Sequence, residues 1–387
     1  MKFSMIFEGQ VAVPNRENER QVFLDAVDQA VLADEVGFHR VWAVEHHALK
    51  WFAHNSAPEV FLTWVAARTS RVRVGHAVVC APFTYNHPVR VAERAATLDL
   101  LSGGRVDVGV GRGATVQELG TFGVDPDVTL DEMVELLKVL PGAWRDGAFE
   151  YHSDHLDIPP RDILPKPLQS PHPPLFMACS REETLNLAGS LGVGALALSF
   201  AGPDDMALKR KAYDQAVAAR DPKNVVGDFA VDHLAGMSLA VVLHDRDLAR
   251  NIGLRGQRFF TESIQHWYTD GPEPRIDIDG EDNEAALRER AEAVGNYIQE
   301  HGHQMPGYDL VRGGATHEQQ VGSEAKGGFN PDQCYGNVDD AIDYVQQMVD
   351  AGVDELMFTF QMGTVPHEIC MESIANLGRH VLPHFAE

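Results

Sequence analysis

The chain has 387 residues, 44% of them hydrophobic and 23% charged, so it can bury a large core without staples and is not disordered by composition. Lys and Arg number 32 against 57 Asp and Glu, and the formal net charge of −25 argues against nucleic acid and anionic membranes as partners. The four cysteines, Cys80, Cys179, Cys334 and Cys370, form no C-x-x-C pair, which disfavours a disulfide scaffold or cysteine zinc site and favours a reducing, cytoplasmic location.

The apolar N-terminal run is broken by Glu8 and is too short for a signal segment, and no run of about 18 apolar residues marks a membrane span. From there, apolar β-rich runs alternate with helical patterns. Strands are predicted at 2–7, 40–44, 72–81, 105–110, 174–178, 194–199, 239–244 and 355–359. Helices are predicted at 21–36, 58–68, 89–101, 131–144, 181–191, 204–220, 245–261, 338–351 and 367–382, with Gly37 and Gly103 as stop signals. The runs Val41-Trp42-Ala43-Val44 and Val106-Asp107-Val108-Gly109-Val110 are nearly continuous, as parallel strands buried on both faces require. Eight strands alternating with helices fit a (β/α)8 TIM barrel, an α/β fold, over a single domain, 1–387. A doubly wound sheet is the alternative, but no G-x-G-x-x-G follows the first strand.

Two stretches interrupt the alternation. Residues 159–174 hold 7 of the 21 prolines and must be extended. Residues 268–336, with one helical patch at 283–298, read as a lid-like insertion between strands 7 and 8.

Barrels of this kind carry function at the C-terminal ends of their strands. There the sequence places Glu45-His46-His47, Cys80, Gly111-Arg112-Gly113-Ala114-Thr115 and Cys179-Ser180-Arg181-Glu182-Glu183. Glycines on both sides of Arg112 let backbone approach an anion, and Ser180 with Glu183 spells a capping box at a helix start, a ready phosphate site. Simple capping by Ser180 and a carboxylate partner for Arg112 explain the same pattern equally well. Adjacent His46 and His47 face opposite sides, and a carboxylate beside them suits acid–base work. A packed, hydrogen-bonded histidine is the commoner outcome. Neither H-x-H nor H-E-x-x-H occurs around Glu45-His46-His47, so no metal is expected there.

The motif V-W-x-x-E-H-H at 41–47 resembles the hallmark of bacterial luciferase-like flavin-dependent monooxygenases, a TIM-barrel family. So do Ser56-Ala57-Pro58-Glu59, Tyr85-Asn86-His87-Pro88-Val89-Arg90, Ala92-Glu93-Arg94, Leu98 to Arg105, Val108 to Gly113, Leu164-Pro165-Lys166-Pro167 and Gln361-Met362-Gly363, in the family's order. The likeness leaves out most of 268–336.

The resemblance implies an FMNH2-dependent monooxygenase of a two-component system. A separate NAD(P)H:flavin reductase supplies the flavin, and one atom of O2 enters a small organic substrate, of aldehyde or ketone class, through a C4a-peroxyflavin. It implies that Arg112 and Ser180, with Arg181 beside them, hold the FMN phosphate. It further implies that Ala77 and Val78 form the flavin floor, often through a non-proline cis bond, that Thr115 neighbours the ring, and that His46 acts in catalysis with help from Glu45 or His47. Phe7, Trp42, Phe83 and Phe200 are expected as apolar walls, and His266-Trp267-Tyr268 either lines the pocket or packs. A homodimer through helices 58–68 and 89–101 is also implied. The rival readings are an F420-dependent dehydrogenase on the same fold, a non-catalytic flavin-binding relative, and a metal-dependent hydrolase built on Glu45, His46, His47 and His54.

Overall fold

The computed structural model describes residues 1–113, 115–198, 202–269, 272–276, 330 and 332–385. In chain order the first half runs β1 (Lys2–Phe7), α1 (Arg16–Val36), β2 (Arg40–Ala43), α2 (Pro58–Arg68), β3 (Arg73–Cys80), α3 (Pro88–Ser102), β4 (Val106–Gly111), α4 (Val116–Phe122), α5 (Thr129–Trp144), β5 (Phe149–His152) and β6 (Asp157–Arg161). The second half runs β7 (Leu175–Ala178), α6 (Glu182–Leu191), β8 (Gly194–Ala197), α7 (Pro203–Ala219), β9 (Leu234–Val242), α8 (Arg246–Thr269), β10 (Cys334–Gly336), α9 (Val338–Asp350), β11 (Glu355–Thr359) and α10 (His367–Asn376).

The strands β1, β2, β3, β4, β7, β8, β9 and β11 form a closed parallel barrel, with β11 beside β1 and β9 joined to β8. The registers Phe3↔Leu356, Ser4↔Arg40 and Ala195↔Leu234 set neighbours around the ring. Almost every strand residue is buried, because the inner face fills the cylinder and the outer face meets the helices. The expected α/β TIM barrel is therefore present, and its helices are punctuated as the sequence signals. Asn15 caps α1 by accepting from the Glu17 and Asn18 amides at 3.0 Å, and Gly37 (φ 96°) ends it in the left-handed region.

Several boundaries differ from the sequence reading. The helix expected from 21 begins at Arg16, because the Asn15 cap precedes a polar first turn with no apolar period. The strand expected at 239–244 is β9, which starts at Leu234; Gly236 and Ser238 hide its period although every residue is buried. The helix expected to end at 261 continues through Thr269, and the short α4 was not expected. The proline-rich stretch begins inside an antiparallel hairpin of β5 with β6. The insertion expected over 268–336 contains β10, which pairs Cys334 with Ala240. Residues 277–329, and with them the helical patch at 283–298, lie outside the described residues.

At the N-terminal end of the barrel a charged cluster sits inside the cylinder. Arg40 donates to Asp107 at 2.6 Å and also to Glu355, while Trp42 Nε1 donates to Glu355 at 2.9 Å. Arg73 reaches Asp107 at 2.7 Å and His233 reaches Glu355 at 2.9 Å. The Arg40 guanidinium also lies 4.6 Å from the Trp42 ring centroid. Burial alone would push the Glu355 carboxyl up, but Arg40 and His233 hold it well below the usual range.

Candidate functional site

The opposite, C-terminal rim gathers the residues that could do chemistry. β1 ends at Phe7 and delivers Glu8, and β2 leads into Glu45-His46-His47. β3 delivers Cys80, β4 delivers Gly111-Arg112, and β7 delivers Cys179-Ser180.

His46 sits between two carboxylates. Its Nδ1 lies 2.9 Å from Glu118 Oε1, and its Nε2 lies 3.9 Å from Glu8 Oε2. Burial would lower the imidazole, but Glu118, by charge and hydrogen bond, and then Glu8 and Glu45 lift it to about 9. The same Glu118 oxygen accepts the His47 amide at 3.0 Å. Glu118 itself is held as the third helical residue of a capping box: Thr115 Oγ1 accepts its amide at 3.1 Å, and its Oε2 accepts the Thr115 amide at 3.1 Å. Burial would raise Glu118, but His46, the His47 amide and Thr115 bring it below the usual range. Glu8 goes the other way: burial pushes it up to about 7, against the pull of His46 and with the push of Glu118. Its Oε2 is buried with no hydrogen-bond partner. Burial first, and then the charges of Glu118 and Glu8, push up the phenol of Tyr268 in the last turn of α8.

Glu45 faces elsewhere. Its carboxylate accepts from His47 Nε2 or shares its proton at 3.1 Å, accepts from Asn86 Nδ2 at 2.8 Å and from the Cys80 amide at 2.8 Å. The groups within reach of the His46 ring are Glu118 and Glu8, while Glu45 acts on it by charge alone. His47 is wedged edge-on between Tyr85 and Phe122, at 5.4 and 4.9 Å between centroids. His54 pairs with Glu19 at 3.5 Å, so Glu45, His46, His47 and His54 do not converge on one point as a metal site would need.

The anion candidate is built from two loops. Both Nε and Nη2 of Arg112 donate to the Thr129 hydroxyl at 3.1 Å. Burial and then the Arg181 charge lower the Arg112 pKa, so two guanidiniums share one neighbourhood. Arg181, not Ser180, is the N-cap of α6: Thr184 Oγ1 accepts the Arg181 amide at 3.2 Å, and the expected Ser180–Glu183 box does not form. Ser180 is exposed beside this helix start, its carbonyl 3.4 Å from Lys209 Nζ.

The Ala77–Val78 peptide is cis, at the position the resemblance names. Val78 fits there because β4 has glycines opposite: a Cβ at Gly111 would lie 2.3 Å from Val78 Cγ2. Two of the expected walls turn their rings elsewhere. Phe7 packs on Phe61 of α2 at 5.6 Å, and Trp42 turns to the barrel floor. Phe83 is half-buried with its amide on Glu132, and Phe200 lies outside the described residues. Trp267 packs, donating to the Lys50 carbonyl at 2.8 Å, and His266 meets Trp51 edge-on.

A parallel barrel with its titratable and cationic side chains gathered at the C-terminal rim places the chain in the class of (β/α)8-barrel enzymes. Residues 1–355 match the family model of luciferase-like monooxygenases, and the chain belongs to that family. It is similar to the oxygenase component of the flavin-dependent trigonelline monooxygenase of Acinetobacter baylyi, 32% identical over 46% of this chain and 49% of the relative. It is also similar to the F420-dependent glucose-6-phosphate dehydrogenase of Amycolatopsis mediterranei, 32% identical over 46% of this chain and 54% of the relative. The chain spans about half the length of the curated relatives it matches. In fold it is similar to the monooxygenase RslO1 of Streptomyces bottropensis, with a TM-score of 0.73 at 23% identity over 100% of both chains. Among the described residues no helix is long and apolar enough to cross a membrane.

Proposed function

We propose that the chain is the oxygenase of a two-component, FMNH2-dependent monooxygenase system acting on a small organic substrate of aldehyde or ketone class. One observation carries this reading: Arg112, between Gly111 and Gly113, feels the charge of Arg181, the N-cap of α6. Two guanidiniums beside a helix start suit a phosphate monoester, whose charge and acceptor oxygens match their donors. The Ala77-Val78 segment, cis as in the expected flavin floor, would lie beneath the rest of the nucleotide. Reduced FMN, when bound there, supplies the electrons that activate O2.

The chain's own residues do the rest. Glu118 fixes the His46 ring through Nδ1 and keeps it protonated near neutral pH, so Nε2 is presented as a proton donor towards the Glu8 side. Thr115 supports this indirectly, because its cap fixes Glu118. Phe52, its ring centroid 5.2 Å from that of His46, limits water around that proton. A separate reductase supplies the reduced flavin in a reducing cytoplasm. The exposed Val60 and Trp64 of α2 with Leu100 and Leu101 of α3 fit a homodimer through those helices.

Binding is tested by fluorescence titration with FMN and with riboflavin. FMN binding clearly tighter than riboflavin supports the phosphate site, and equal affinities reject it. Activity is tested by O2 uptake with a flavin reductase and carbonyl substrates. Turnover with F420 and none with FMNH2 would transfer the chain to the dehydrogenase reading that its F420-dependent relative favours.

A further inference from the structure

Glu45 belongs to the E-H-H motif, yet its carboxylate makes no hydrogen bond to His46. Its contacts form a chain leading away from the rim. Oε2 accepts the Cys80 amide at 2.8 Å, and Oε1 meets His47 Nε2 at 3.1 Å and Asn86 Nδ2 at 2.8 Å. Asn86 Nδ2 also donates to the Cys80 carbonyl at 2.9 Å, so one side chain holds both the carboxylate and the strand end it grips. Asn86 Oδ1 in turn accepts from Arg94 Nη2, and Arg94 Nη1 donates to Glu59 on α2 at 2.9 Å. Glu45 and Asn86 are buried, while Arg94 and Glu59 are half-buried between α2 and α3.

We propose that Arg94 is a positioning residue of the site, acting through Asn86 on Glu45. The chemistry is directional. Asn86 can rotate its amide by 180°, which would put its oxygen against the Glu45 carboxylate. Arg94 opposes that state from the other side of the amide, together with the two acceptors on Nδ2, because a guanidinium accepts no hydrogen bond and so demands the oxygen. Glu45 thereby keeps a donor rather than meeting an acceptor. The carboxylate then pins β3 two residues beyond Val78 to the segment that carries His46. The floor and the acid–base residue are held in one frame by a residue that touches neither. The Tyr85-Asn86 and Ala92-Glu93-Arg94 motifs, which no step of the mechanism uses, gain a role in this way.

The inference rests on the flavin reading for its effect on binding, and its geometry can be tested without flavin. In Arg94→Ala, the Cys80 amide should exchange with deuterium about tenfold faster, and the His47 ring nitrogen resonances should move, while thermal stability changes little. FMN affinity should fall about tenfold, and millimolar guanidinium ion should restore most of it. Arg90→Ala, which removes only the exposed pair with Glu93, should change none of these. An Arg94→Ala protein with unaltered Cys80 exchange and His47 signals overturns the proposal. Altered exchange and signals without FMN binding even in the parent protein would leave the positioning role supported and reject the flavin reading instead.

Discussion

Glu118 Oε1 accepts from two groups of one tripeptide, the His46 ring at 2.9 Å and the His47 backbone amide at 3.0 Å. A single carboxylate thus fixes both the charge and the orientation of the imidazole. In Glu118→Gln the His46 pKa should fall by about one unit or more from its lifted value, measured by NMR titration of the ring. An unchanged titration would show that Glu118 is not what keeps His46 protonated.

Both lifted groups make stability fall as pH rises, over different windows and from different causes. His46 gains a folded pKa of about 9 over 6.5, so its contribution is full below about pH 6.5 and is lost as pH rises through about 9. Glu8 goes from 4.5 to about 7, so the folded state holds its proton longer than the unfolded one. Its penalty is absent below about pH 4.5 and complete above about 7. Urea unfolding at pH 5 and pH 8 should therefore show Glu8→Gln gaining on the parent protein at the higher pH. A constant difference between the two would contradict this.

Arg112→Gln and Arg181→Gln should each weaken FMN binding roughly 10- to 100-fold while leaving riboflavin binding nearly unchanged. Parallel losses for both ligands would point to collapse of the rim rather than a phosphate contact.

Gly111→Ala places a methyl 2.3 Å from Val78 Cγ2. Either β4 or the Val78 side chain must shift, at a cost of about 1–3 kcal/mol in chemical denaturation. FMN affinity should fall with it if Val78 is the floor.

At the other end of the barrel, Arg40→Met would leave Asp107 and Glu355 facing each other in the interior with less compensation. The expected loss is about 3–5 kcal/mol, read from urea unfolding. A neutral or stabilising result would show that the cluster tolerates an apolar replacement.

The barrel was legible because its strands are nearly unbroken apolar runs and its helices stop at glycines such as Gly37 and Gly103. The hairpin β5–β6 was hidden by prolines, and β9 by Gly236 and Ser238, since neither gives a clean period. At the rim, the sequence pointed to His46, Arg112 and Arg181 through local motifs. Glu118 was missed because its partner is 72 residues away, although Thr115-x-x-Glu118 is a visible capping box. Glu8 was noticed only as a charge that broke an apolar run. Ser180 drew the capping role by residue type, while the backbone assigned it to Arg181 one position later. Glu45 shows the same limit: adjacency to His46 suggested cooperation, whereas its carboxylate is oriented by Asn86, a contact no linear spacing reveals.

The charged cluster of Arg40, Asp107 and Glu355, topped by Trp42, shuts one end of the cylinder. The polar cluster takes the place of apolar packing in the lowest layer of the barrel interior. Under the proposed function, a nucleotide and the molecule it acts on would therefore both approach over the opposite rim.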